Sequence, residues 1–153
     1  RLITKKDFED AGIIYLEDDV VEIEGLYIYG NPYVPKYGNW AFMKTPEKLN
    51  RYWREVRPIY ADILITHGPP KGILDKSYNR NREIDQCGDK NLLNMVKELK
   101  PKLVCFGHIH DVSDLMNSGT CRLSGINTTF SNGTVVTDNK FGTLTSNGNI
   151  LEI

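Results

Sequence analysis

Two apolar runs, Asp62-Ile63-Leu64-Ile65 and Lys102-Leu103-Val104-Cys105-Phe106, each end at a histidine-bearing loop, and a helical pattern lies between them. Short apolar runs of this kind read as buried strands. In the intervening stretch Leu92, Leu93, Val96 and Leu99 recur at helical spacing. Lys97 and Lys100 suit the negative end of that helix, and Pro101 stops it. Strand, loop, helix and strand over residues 62–106 make a βαβ unit, which requires parallel strands and a right-handed crossover. Adjacent strands lie about 4.8 Å apart. Their carboxyl ends then set His67 beside His108 and His110, at the edge where open α/β sheets build their sites.

These are all the histidines the chain has. His67 sits in Ile65-Thr66-His67-Gly68-Pro69-Pro70, and the other two in Phe106-Gly107-His108-Ile109-His110. Taken alone, each motif has a plain reading. Gly-Pro-Pro is a chain-reversal signal, and an isolated H-x-H is more often a capping or backbone-bonding pair than a metal site. Both motifs flanking one βαβ unit are harder to reach by accident. The combination points to a divalent transition metal such as zinc, manganese or iron.

Elsewhere the pattern is easier to read before the βαβ unit than after it. Ile13-Ile14-Tyr15-Leu16 and Asp19-Val20-Val21-Glu22-Ile23 read as short strands, and Gly25 turns the second into Leu26-Tyr27-Ile28-Tyr29-Gly30 as a hairpin. Residues 31–42 form an ordered, aromatic-rich loop. Thr45-Pro46-Glu47 starts a helix carrying Leu49, Tyr52, Trp53 and Val56 on one face, closed by Pro58. Residues 68–88 are polar and turn-rich, and Gly88-Asp89 reads as the N-cap of the next helix. After His110 the expectation is all β. Strands are predicted over 120–126, 133–137, 141–145 and 149–153, with hairpin signals at Ser131-Asn132-Gly133-Thr134 and Ser146-Asn147-Gly148-Asn149.

A length of 153 residues suits one domain over 1–153. The formal charge of −1 gives no nucleic-acid signal. No apolar run approaches the roughly 20 residues needed to span a bilayer. Cys87, Cys105 and Cys121 are odd in number and match neither C-x-x-C nor a disulfide framework, which points to a reducing, cytoplasmic compartment. On that reading the sequons at Asn127 and Asn132 are chance matches. The first residue is Arg1, and the expectation is a fragment, a processed product or one half of something longer.

The ordered pair Ile65-Thr66-His67-Gly68-Pro69-Pro70 and Phe106-Gly107-His108-Ile109-His110 resembles the C-terminal motifs of the calcineurin-like metallophosphoesterases. Ile14-Tyr15-Leu16 through Tyr29-Gly30-Asn31-Pro32 adds a resemblance to the metallophosphoesterase-domain-containing branch, whose members act on phosphodiesters, including cyclic nucleotides. The similarity runs from about Ile13 to at least Asn127. It implies an α/β fold, the C-terminal portion of a four-layer αββα sandwich, and a dinuclear metal centre of manganese, iron or zinc. It implies that His67 and His108 hold one metal and His110 the other. It leaves Asp111 as a loop acid, and gives Asn127 a place in the site wall.

The departures are as informative. The family's D-x-H, G-D and G-N-H motifs are missing, and Gly30-Asn31-Pro32 has proline where the histidine would stand. The chain therefore lacks the bridging aspartate, and three neutral imidazoles cannot hold two dications together without carboxylates between them. The expectation is a half-site with an exposed sheet edge, completed by an N-terminal segment or a complementing chain. Tyr33, Tyr37 and Trp40 are candidates to stack on a nucleobase, against the alternative that they pack the loop. Arg80 and Arg82 are candidates to meet a phosphate. The leading reading is a metal-dependent phosphoester hydrolase, a phosphodiesterase acting on a small phosphoester or nucleotide. The competing readings are a non-catalytic binding or structural subunit and a mononuclear structural zinc site.

Overall fold

The computed structural model describes residues 2–56, 58–112, 114–137 and 142–153. The chain opens with α1 (Lys5–Asp10), then β1 (Asp19–Ile23), β2 (Leu26–Asn31) and two short strands β3 (Val34–Pro35) and β4 (Met43–Lys44). Next come α2 (Pro46–Glu55), β5 (Ile63–Thr66), a small hairpin of β6 (Lys76–Tyr78) and β7 (Ile84–Gln86), α3 (Lys90–Leu99) and β8 (Leu103–Phe106). The last strands are β9 (Gly119–Arg122) and β10 (Thr129–Asn132).

Six strands form one sheet in the order β1-β2-β5-β8-β10-β9. The four central strands are mutually parallel, and β1 and β9 run antiparallel at the two edges. The expected βαβ unit is present: β5 and β8 are neighbours, with Ile63 opposite Leu103 and Ile65 opposite Cys105. The mixed α/β class read from the sequence is the observed one.

Register explains the core. Tyr29, Leu64, Val104, Phe130 and Cys121 are successive partners across five strands and so share one face. Leu49 and Trp53 of α2 and Leu92, Met95 and Val96 of α3 pack on that face in a single apolar cluster. Both helices start as the sequence predicts. Thr45 Oγ1 accepts from the Lys48 amide, and Asp89 accepts from the Asn91 amide. The opposite face is less covered: Ile65, in the middle of the sheet, is 46% exposed. Cys105 lies on that face and Cys121 on the other, and all three cysteines are free thiols. Among the described residues no helix is long and apolar enough to cross a membrane.

Several local expectations fail for tertiary reasons. Residues 13–16 form no strand. Instead Leu16 presses on Gly30 so closely that a Cβ there would lie 2.3 Å from the leucine Cβ. The preceding helix α1 was signalled only by Thr4 and Asp7, whose carboxylate reaches back to the Thr4 amide at 2.8 Å. The polar stretch 68–88 contains the β6–β7 hairpin. In the tail, β9 covers only the start of the run expected over 120–126. The next strand is β10 at 129–132, ahead of the expected 133–137. The Asn132-Gly133 hairpin signal is overridden because β10 pairs parallel with β8, and the Asn132 side chain is buried in contacts with distant backbone. Val136 and Leu144 meet only as an isolated bridge, and 149–153 holds no strand. Phe141, at the head of another expected strand, lies outside the described residues.

Phe130 is fully buried at the centre of the core row. Phe130→Ala should cost about 3–5 kcal/mol in urea unfolding. Ile150→Ala, at a fully exposed position, should change stability by less than about 0.5 kcal/mol.

Candidate functional site

The carboxyl ends of the parallel strands continue as a backbone ladder past the last sheet residues. The His67 amide donates to the Asn31 carbonyl at 3.1 Å, and the Gly107 amide donates to the His67 carbonyl at 3.1 Å. The Gly133 amide donates to the Phe106 carbonyl at 2.8 Å. Neighbouring strand ends are thereby locked in step, and the His67 and His108 rings come together with centroids 4.5 Å apart and planes tilted by 42°. This is the juxtaposition the sequence predicted.

The loop after His67 is fixed by α3. The Asp89 amide donates to the Pro69 carbonyl and the Lys71 amide to the Asp89 carbonyl. Gly88 permits this approach, since a Cβ there would lie 2.6 Å from the Pro70 carbonyl carbon. The loop after β8 turns more sharply. The Ile109 amide donates to the Gly107 carbonyl at 2.9 Å, and His108 between them has φ +73°. That is the φ of the rare, strained γ-turn, uncommon for a residue with a side chain.

Burial pushes the imidazole pKa of both His67 and His108 below the ordinary 6.5, and for His108 the nearby His67 and His110 push the same way. Both rings are therefore neutral at pH 7, with lone pairs available. His67 keeps solvent access, while His108 and His110 are half-buried. His110 lines the same cavity as His108.

Among the described residues no carboxylate joins this cluster. Asp111 is buried and accepts from the Asn117 amide at 2.6 Å and from the Ser118 amide and hydroxyl at 2.8 and 2.7 Å. Burial alone would raise its pKa, but those hydrogen bonds bring it below the usual carboxylate value. It is a loop-fixing acid, as expected. Asp89 caps α3 and accepts from the Trp53 indole, and burial pushes its pKa up. Asn31 donates its amide to Asp18 and to the Tyr52 hydroxyl. Among the described residues no group of three or more His, Cys, Asp or Glu side chains is disposed to hold a metal ion. The His67–His108 pair fits as two donors of a metal, and the rest of a donor set is not assembled around it.

A cavity of about 670 Å³ opens beside the histidines, walled by His108, His110, Tyr33, Tyr37, Trp40 and Tyr78. The aromatic loop does approach the site. The Tyr37 ring lies 5.4 Å from the His108 ring and meets Trp40 edge-on at 5.5 Å. Trp40 remains 71% exposed. Tyr33 is committed to packing: it touches Phe42 and Tyr52, carries Lys44 Nζ 3.6 Å above its ring and bonds Glu17.

Two sequence candidates fall elsewhere. Arg80 and Arg82 sit in the exposed turn between β6 and β7, which closes on itself through the Asn79 and Glu83 backbone, and they do not line the cavity. Asn127 precedes β10, which is parallel to β8, so it is exposed at the opposite end of the sheet from His108. The sequence reading missed Asn117 and Asn132, both fully buried and bonded to the histidine loop. Asn132 carried only a turn and a sequon signal, and Asn117 carried none.

The neutral histidines give a pH dependence. The unfolded histidines protonate near 6.5, before the folded ones, so stability should rise with pH from the depressed folded values up to about 6.5 and be full above it. In chelator-treated protein, the fall in Tm between pH 7.5 and 5.5 should be smaller in a His67→Gln, His108→Gln double variant. Equal falls would refute the desolvated pair.

The calcineurin-like phosphoesterase family profile matches residues 4–112. The UPF0046 protein T07D4.2 of Caenorhabditis elegans is 43% identical over 103 residues, covering 66% of this chain and 25% of that protein. Metallophosphoesterase domain-containing protein 1 of Homo sapiens is 38% identical over 128 residues, covering 82% of this chain and 36% of that protein. The chain thus spans between a quarter and two-fifths of these relatives' length. One solved crystal structure shares the fold, with a TM-score of 0.52 over 84% of this chain and 49% of its own at 17% identity. With residues 4–112, most of its length, matched, the chain belongs to the calcineurin-like phosphoesterase family.

Proposed function

We propose that this chain is the part of a metal-dependent phosphodiesterase that holds its histidine ligands and one wall of its substrate cavity. The observation that carries the reading is the His67–His108 pair, 4.5 Å between ring centroids, at the carboxyl ends of two adjacent parallel strands. In this reading His67, His108 and His110 bind a dinuclear centre of manganese, iron or zinc, ions that accept imidazole nitrogen. Such ions supply charge neutralisation and water activation for attack on phosphorus.

The chain's own residues do the rest. Burial keeps His67 and His108 unprotonated, so neither must shed a proton before donating its lone pair. Tyr37 backs His108 and limits its movement. Trp40, exposed on the cavity wall, stacks on the base or aryl group of a nucleotide or small phosphoester. The carboxylate donors come from outside these residues, on a further segment or a complementing chain. The free cysteines fit a cytoplasmic setting.

A second reading has one observation in its favour: no three-donor group is assembled among the described residues. On that reading the chain is a non-catalytic module that keeps the cavity and binds nucleotide without hydrolysis.

Hydrolysis of bis-p-nitrophenyl phosphate with added Mn²⁺ separates the two. The enzyme reading expects turnover that EDTA abolishes and that His108→Ala lowers by roughly 100-fold or more. Turnover indifferent to His108→Ala would sink the ligand assignment, and none in any complemented form would favour the module. Trp40→Ala should raise KM for a nucleotide diester by about tenfold, with kcat less affected, as expected for a lost stacking partner. An unchanged KM would remove Trp40 from the binding surface.

A further inference from the structure

Two asparagine side chains, Asn117 and Asn132, are completely buried and tie together the two loops that form the site. Asn132 Nδ2 donates to the Ile109 carbonyl at 3.0 Å and to the Leu74 carbonyl at 3.3 Å, and its Oδ1 accepts from the Thr134 amide. Asn117 Nδ2 donates to the His110 carbonyl and to the Lys76 carbonyl, each at 2.8 Å, and its Oδ1 accepts from the Lys76 amide at 2.9 Å. Each amide therefore has one hand on the histidine loop after β8 and one on the segment leading into the β6–β7 hairpin, Asn132 at Leu74 just before β6 and Asn117 at Lys76, its first residue. The two segments are more than thirty residues apart in sequence.

The histidine loop needs such anchors. His108 has φ +73° in a turn closed by a single hydrogen bond, Ile109 to Gly107. A non-glycine residue persists in such backbone only where its surroundings over-determine it. Upstream, the Gly107 amide is held by the His67 carbonyl; downstream, the Ile109 and His110 carbonyls are held by Asn132 and Asn117. Asp111 completes the clamp by accepting from the Asn117 amide, which orients the Asn117 backbone. On the far side, Ser77 and Tyr78 of β6 line the cavity directly after Lys76.

We propose that Asn117 and Asn132 are positioning residues that couple the strained His108 turn to the cavity wall at β6, so that the two move as one unit. Their effect on metal affinity rests on the histidines being ligands, as proposed above. The coupling itself does not.

The test uses Asn117→Ala and Asn132→Ala in the full chain, with Thr128→Ala as control. Thr128 is equally buried and bonds the Pro101 carbonyl, but at the opposite end of β10. Amide hydrogen exchange is read by mass spectrometry on peptides spanning residues 72–78 and 106–111. Each asparagine variant should speed exchange about tenfold or more in both peptides, because unpartnered buried carbonyls favour opening. The control should leave both within about twofold. Faster exchange in one peptide alone, or in neither, would overturn the coupling. Where an alanine variant does not fold, the serine variant replaces it, since a serine hydroxyl cannot span both carbonyls.

Binding of Co²⁺, followed by visible absorption, is the second readout. Asn117→Ala and Asn132→Ala should weaken it about 10- to 100-fold, as loss of ligand-orienting partners does, while Thr128→Ala stays within twofold. If the unsubstituted chain binds Co²⁺ and the asparagine variants bind it equally well, positioning of the ligands is refuted. If the unsubstituted chain takes no Co²⁺, its histidines do not form a metal site without the further donors, and hydrogen exchange alone decides the coupling.

Discussion

The parallel pairing of β5 with β8 is the constraint on which the site depends. Each strand is only four residues long and gives way at once to a loop. The backbone ladder carries the register one step further through the Gly107-to-His67 hydrogen bond. Without that step the two imidazoles would belong to independent loops, each free to turn toward solvent. With it, their separation is set by the sheet spacing. The Leu64–Val104–Phe130 row beneath, covered by α2 and α3, makes the pairing durable, because slipping it by one residue would turn those side chains out of the core.

Polar groups near the site divide into two kinds. His67 and His108 have imidazoles held below their ordinary pKa by partial burial, and among the described residues no side-chain hydrogen bond occupies them, which suits donation to a cation. The acids and amides around them are saturated with internal hydrogen bonds: Asp111 with Asn117 and Ser118, Asp89 with Trp53 and Asn91, Asn31 with Asp18 and Tyr52. A buried carboxylate with its lone pairs occupied costs too much to turn outward. These residues build the frame, and the frame presents the histidines.

Legibility tracked the range of the interactions. The βαβ unit, the caps at Thr45 and Asp89 and the β1–β2 hairpin were readable because each is encoded by residues close in sequence. The tail was misread because its turn signals are local while its pairing is not. Asn132-Gly133 looks like a hairpin turn, yet β10 finds β8 across the crossover. Trp40 and Tyr33 sat side by side as stacking candidates. Only packing separated them, leaving Trp40 exposed on the cavity wall and holding Tyr33 half-buried against Phe42, Tyr52 and Lys44. Asn127 was placed in the site wall by resemblance, and strand direction puts it at the opposite end of the sheet.

The sequence by itself determined that His67 and His108 would meet, because two apolar strands joined by one helix admit a single handed, parallel solution and both histidines come directly after their strands. The tertiary structure alone decided how they are held and what else reaches them. The left-handed backbone of His108, the inward turn of Asp111 and the clamp formed by Asn117 and Asn132 depend on hydrogen bonds between segments distant in the chain. Such bonds leave no periodicity in the sequence, since a buried asparagine is written with the same letter as one in a solvent-exposed turn.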